Sequence, residues 1–256
     1  MVIHACYISH RGKVRSNNED SLLLDGLLAT EAMMEKTKCF RSDDERHIFA
    51  VADGMGGHAR GEIASRSVLA VFKEAYQKAN NPEDIRRIIL SSKNCLNKLV
   101  ESDRNAYGLG TTIAGVLLFR DKAIIFNCGD SRVYRLKSMV LERITKDHTL
   151  VQELFDVGGI SEEEMRHHPQ KNVLTSAVIG DLQVDVPESF FREMNICLGE
   201  RFLICSDGLW ESMALSDIKR HLANEVLEEA VQSLFAWSMA QGARDNISII
   251  ALEKGY

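Results

Sequence analysis

Arg15, Glu19, Asp20, Asp53, Asp207 and Asp245 are the residues of this 256-residue chain whose types and settings could do chemistry. They fall in four short motifs: Arg15 with Asn18-Glu19-Asp20, Asp53-Gly54-Met55-Gly56-Gly57, Ser206-Asp207-Gly208, and Asp245-Asn246. Each motif abuts an apolar run that reads as a strand, and a carboxylate at the mouth of a buried strand is held rigidly. Several such carboxylates brought together repel one another unless a cation neutralises them. Hard oxygen ligands without His or Cys favour Mg2+ or Mn2+ over Zn2+, and these ions keep waters in their shells that can act as nucleophiles. Two cations about 4 Å apart can share such a water and clamp an in-line displacement at phosphorus. Asp53 is the candidate bridging carboxylate, the Gly54 carbonyl is a further hard ligand, and Arg15 offers a planar fork for a phosphate. Taken singly, each motif is also an ordinary turn or a solvated surface group, so the weight rests on the set.

The elements that must position these groups are legible from periodicity. Strands are expected at Val2 to Ser9, Ser21 to Leu24, His47 to Ala52, Thr112 to Phe119, Ala123 to Cys128, Arg132 to Leu136, Arg201 to Cys205 and Ile247 to Leu252. Three- and four-residue steps through Ala64, Val68, Phe72, Ala75 and Ala79, and then Ile85, Ile88, Ile89, Leu96 and Leu99, predict two consecutive helices. A third stripe runs from Leu227 to Ser238, after a shorter helix near Ser216. Strands in succession with helices in separate blocks predict antiparallel sheets covered by helices, not βαβ winding.

A net charge of -6 and scattered basic residues argue against nucleic-acid binding, which needs clustered Lys and Arg. No apolar run approaches a membrane span and Met1 to His10 lacks signal-peptide order, so a cytoplasmic protein is expected. The six cysteines form no C-x-x-C pair and are expected to be buried reduced thiols. With three prolines and no low-complexity tract, residues 1–256 are expected to form one domain.

Read in order, R-x-x-x-E-D (Arg15 to Asp20), D-G-M-G-G-H (Asp53 to His58), G-T-T (Gly110 to Thr112), G-D-S-R (Gly129 to Arg132), D-H (Asp147-His148), S-D-G (Ser206 to Gly208) and D-N (Asp245-Asn246) resemble the PPM (type 2C) metal-dependent protein Ser/Thr phosphatases, especially the bacterial type. The resemblance implies an α+β fold, a four-layer αββα sandwich of two antiparallel sheets flanked by helices. It implies that Asp53 bridges two Mn2+ or Mg2+ ions, that Asp207 and Asp245 complete the first, and that the Gly54 carbonyl binds the second. Glu19 and Asp20 then act through metal-bound waters and Arg15 holds the substrate phosphate. By the same analogy Asp130 helps bind a weaker third cation, sharing Asp207; the alternative is that Asp130 is only a β-turn residue. Residues 150–181 resemble the flap that borders the catalytic cleft.

One departure concerns Met55, which stands where eukaryotic members carry a histidine proposed to protonate the leaving alcohol. A thioether cannot do so, leaving a metal-bound water or another group such as His58. The histidines at 148, 167 and 168 read as surface or structural groups. The stretch Gly26 to Arg46 looks longer than a compact member needs and is expected to be an exposed insertion. The expected activity is hydrolysis of phosphoserine or phosphothreonine in proteins without a phosphoenzyme, by a monomer whose partners are a Ser/Thr kinase and its substrates. The competing readings are a non-catalytic phosphoprotein-binding module and an acidic-cluster phosphodiesterase.

Overall fold

Ile48, Ala50 and Ala52 alternate with Phe49 and Val51 along one strand, and all five are fully buried. A strand apolar on both faces must be covered on both, and here the first set packs on helices while the second meets another sheet. The computed structural model describes residues 1–56, 60–103, 106–184 and 186–255. Its strands are β1 (Ile3–His10), β2 (Asp20–Leu24), β3 (Leu27–Ala29), β4 (Lys38–Ser42), β5 (Arg46–Met55), β6 (Gly110–Thr111), β7 (Ile113–Phe119), β8 (Lys122–Cys128), β9 (Arg132–Lys137), β10 (Val140–Arg143), β11 (Val178–Ile179), β12 (Phe190–Asn195), β13 (Arg201–Cys205) and β14 (Ile247–Lys254). The α-helices are α1 (Gly61–Ala75), α2 (Pro82–Ser102), α3 (Leu150–Asp156), α4 (Glu162–His167), α5 (Asp207–Trp210), α6 (Leu215–Leu222) and α7 (Leu227–Ala240).

One sheet runs in the order β10-β9-β13-β14-β1-β4, and the other β11-β6-β5-β7-β8-β12 with β2 and β3 added through β5. Every strand pairing is antiparallel. Helices α1 and α2 cover the second sheet, their buried Ala64, Val68, Phe72, Ile85 and Ile89 meeting Leu23, Ile48 and Ala50. Pro82 opens α2, and the Asn81 side chain accepts from the Asp84 backbone N–H as its cap. Helix α7 lies on β1 and β14 across the outer face of the first sheet. The architecture is the expected αββα sandwich.

Two expectations are corrected. The 26–46 stretch is mostly exposed, as expected, but it is part of the sheets and not a separate insertion: β3 pairs with β2, β4 forms the edge of the first sheet beside β1, and Met34 lies in the core. Nor are all six cysteines reduced thiols. Cys6 and Cys39 face each other in the β1–β4 register, their Cα atoms 4.1 Å apart, and are joined by a disulfide. Sequence spacing carries no trace of that register. Cys95, Cys128, Cys197 and Cys205 are free, but of these only Cys128 and Cys205 are buried, Cys95 being half-buried and Cys197 exposed.

Candidate active site

Asp20 and Asp53 are direct cross-strand partners at one end of the β2–β5 pair. Opposed residues on neighbouring antiparallel strands stand about 5 Å apart, so two carboxylates are forced together by register alone. The strand carrying Asp53 continues to Met55, and its neighbours hold it from several sides. The Asp53 carbonyl accepts from the Thr112 N–H at 2.9 Å and the Thr111 hydroxyl at 2.8 Å, and Thr112 Oγ1 meets Ser131 Oγ at 2.8 Å. The Gly110 to Thr112 motif is thus a clamp on the Asp53 backbone. Gly54 must be glycine for close approach: a Cβ there would stand 2.2 Å from the Gly61 carbonyl oxygen and 2.6 Å from that of Glu19.

Asp207 opens α5 directly after β13, and the preceding Ser206 hydroxyl donates to Asp20 Oδ2 at 2.9 Å. This bond joins the two sheets at the site. Gly208 passes so close to the Asn246 carbonyl oxygen that a Cβ would approach to 2.0 Å. Asp245 lies just before β14 and accepts from the Arg15 guanidinium at 2.7 Å. Asn246 fastens the loops: its side-chain N–H groups donate to the carbonyls of Arg11 (3.0 Å) and Asn17 (2.8 Å), and its oxygen accepts from the Glu19 N–H at 2.8 Å. The sequence paired Asn246 with Asp245 but assigned it no task; its task depends on the 11–19 loop returning to the C-terminal strand.

Electrostatics mark this cluster. Burial, and then the neighbouring Asp20, Asp207, Asp130 and Asp245, push the Asp53 carboxyl well above its usual range. Asp207 is likewise raised, by burial and then by Asp130 and Asp245. Asp20 is pushed up to about 6, chiefly by burial, against hydrogen bonds from Ser248 and Ser206. Glu19 is raised too, by burial first. One oxygen each of Asp20 and Asp207 is buried without a hydrogen-bond donor. Acceptors without donors, among carboxylates that repel one another, fit hard divalent cations. Among the described residues no group of three or more His, Cys, Asp or Glu side chains is placed to hold a metal ion by itself, and Mg2+ or Mn2+ sites of this chemistry complete their shells with water.

Asp130 is buried in the β8–β9 connection and is pushed up to about 7 by burial and then by Asp147. It is brought to the acidic cluster, adding to the fields on Asp53 and Asp207. Its carbonyl accepts from the Trp210 indole at 3.0 Å, while the Arg132 guanidinium lies 3.4 Å from the Trp210 ring centroid and binds Asp147. The G-D-S-R and D-H motifs therefore brace α5 against β9. His148 donates its backbone N–H to the Gly129 carbonyl, and burial lowers its pKa, so it is a neutral structural group. Residues 150–181 form α3 and α4, then return to the second sheet as β11. Gly57 and His58 lie outside the described residues.

The family model for protein phosphatase 2C matches residues 35–248. The chain belongs to the protein phosphatase 2C family. It is 30% identical over 262 residues to the serine/threonine phosphatase stp of Listeria monocytogenes serotype 4b (strain F2365), covering 98% of this chain and 96% of that protein. It is 30% identical over 256 residues to the serine/threonine protein phosphatase PstP of Mycobacterium tuberculosis (strain ATCC 25618 / H37Rv), covering 99% of this chain and 45% of that protein. Among solved structures, that of the Mycobacterium tuberculosis phosphatase PstP/Ppp superposes with a TM-score of 0.84 at 30% identity, covering 100% of each chain. The PstP catalytic domain in complex with two manganese ions gives 0.79 at 28% identity, covering 99% of each chain. The acidic cluster described above is built on the framework of this phosphatase 2C fold.

Proposed function

We propose that this chain is a metal-dependent phosphatase that hydrolyses phosphoserine and phosphothreonine in proteins. The observation that carries the reading is the Asp20–Asp53 cross-strand pair joined by Asp207, with carboxylate oxygens buried and unpartnered, in a chain of the phosphatase 2C family. Asp53, Asp207, Asp245 and the Gly54 carbonyl would hold two Mn2+ or Mg2+ ions, with Glu19 and Asp20 acting through water and Asp130 contributing to a weaker third site. When bound, the cations neutralise the carboxylates, draw charge from the phosphoryl oxygens and make water a stronger acid.

The protein's own groups do the rest. Arg15 is exposed beside the cluster and exchanges its bond to Asp245 for the oxygens of the substrate phosphate, which its planar fork fits. Ser206, Thr111 and Asn246 keep the carboxylates in register. Hydrolysis breaks the bond between phosphorus and the Ser or Thr oxygen, giving inorganic phosphate and a free hydroxyl that gains a proton. Covalent thiol catalysis is disfavoured, since burial pushes the Cys128 thiol up to about 12 and raises Cys205 also, so both stay protonated. Residues 1–256 act as one catalytic domain with 150–181 as its flap, and the partners are a Ser/Thr kinase and its substrates in the cytoplasm, met by a monomer. Among the described residues no helix is long and apolar enough to cross a membrane.

Phosphate release from a phosphothreonine peptide tests the proposal. Turnover is expected with Mn2+ or Mg2+ and none in EDTA; a metal-loaded protein that binds phosphopeptides but releases no phosphate would make it a binding module instead.

A further inference from the structure

A cavity of about 590 Å³ lies between the 150–171 segment on one side and α5, β9 and the start of α6 on the other. Its walls include Phe155 and Met165 from the flap and Trp210, Met213, Leu215 and Ile218 from the body. Phe155 and Leu215 are partly exposed at it, at 40% and 46%, while Met213 and Ile218 are buried beneath. The lining also holds Arg132, Arg143, Arg166 and Lys171. Each of these cations already has a carboxylate: Arg132 and Arg143 share Asp147, Arg166 pairs with Glu162 at 2.8 Å, and Lys171 reaches from the flap to Glu211 at 2.9 Å. Charge satisfied in place leaves the apolar surface as the feature with unmet affinity.

The cavity reaches the short helix that carries Asp207 of the acidic cluster. Trp210 lines it, sits on the same short helix as Asp207, and donates to the Asp130 carbonyl. A chain docked with one side chain here presents its neighbouring residues to the cluster. We infer that this cavity seats an apolar side chain of the phosphoprotein, within about four residues of the phosphorylated one, and thereby selects substrates. This inference rests on the phosphatase reading above. Four extended residues span about 13 Å, which sets the range of positions to search. The ion pair from Lys171 to Glu211 joins flap to body beside the cavity.

The experiment walks a single leucine through positions from four before to four after the phosphothreonine in a Gly/Ser peptide, and reads kcat/KM relative to the all-Gly/Ser peptide. One or two adjacent positions are expected to gain about tenfold, the scale of seating one aliphatic side chain. In Leu215→Lys, and in Met165→Gln as a second and milder change, that gain is expected to fall toward one. Using the ratio cancels any general loss of activity in either variant. A flat profile in the intact protein, or a gain that survives both substitutions, overturns the inference. Calorimetric binding of the same peptides in EDTA separates the two proposals: a leucine-dependent gain in affinity with no turnover in Mn2+ keeps the cavity and sinks the phosphatase reading, whereas turnover without leucine dependence does the reverse.

Discussion

The two ends of β13 carry buried acidic groups in opposite states. At its start Glu200 is 3% exposed and sits between two cations of its own chain, Arg135 Nε at 2.9 Å and Lys137 Nζ at 2.7 Å. Burial alone would raise its pKa, but the hydrogen bonds from Lys137 and Arg135 outweigh that and hold it below the usual range. Beyond its far end Asp207 is buried and faces Asp130, Asp245, Glu211 and Asp20, and is pushed well up. The protein neutralises a buried carboxylate at one end of the strand and leaves several in conflict at the other, the state that the proposed cations would relieve. The first end is structure. The second stores repulsion that, on the proposed function, bound cations would relieve.

Substitutions at the two ends should therefore diverge. Asp207→Asn or Asp53→Asn is expected to lower turnover on the order of 10²–10³-fold, the scale of losing a preorganised electrostatic contact, yet to raise the melting temperature measured in EDTA at neutral pH. Glu200→Gln should leave turnover nearly intact and lose about 2 kcal/mol in urea unfolding, because Arg135 is then left buried with a weaker partner. If both ends lost stability alike, the comparison would fail.

The pH dependence sharpens the same contrast. Asp20 near 6 and Asp130 near 7 in the folded state lie above the unfolded value of about 3.9. The folded state then binds more protons than the unfolded one between about pH 4 and 7, so stability falls as pH rises through that window. In EDTA the melting temperature should drop by several degrees from pH 5 to 7.5. Saturating Mn2+ should flatten or reverse the slope, and a metal-free protein whose stability is level across the window would contradict the raised values.

How much of this was legible in sequence follows from burial. The central strands β5, β7, β13 and β14 are covered on both faces, so they read as continuous apolar runs, and the acidic motifs stood out at their ends. The edge strands were missed because their composition is mixed: β4 is Lys-Cys-Phe-Arg-Ser with mostly exposed positions, β10 is four residues with none buried, and β12 alternates irregularly. The disulfide from Cys6 to Cys39 and the facing of Asp20 with Asp53 are both facts of strand register, which a single chain's spacing does not encode. Asn246 shows the same limit, since its three bonds reach residues some 230 positions away.

A smaller effect tests that last point. Asn246→Ala is expected to cost about 2 kcal/mol by orphaning the Glu19 N–H and two carbonyls, and to lower turnover by freeing the loop that carries Arg15. Asn246→Asp should restore the Glu19 contact in part; equal losses in both variants would argue that the side chain merely fills space.

The most direct measurement is calorimetric titration of Mn2+ into metal-stripped protein, intact and as Asp53→Asn. Two or more ions per intact chain, with at least one lost or greatly weakened in the variant, is the predicted result; the same stoichiometry and affinity in both would contradict a cluster built to gather cations around Asp53.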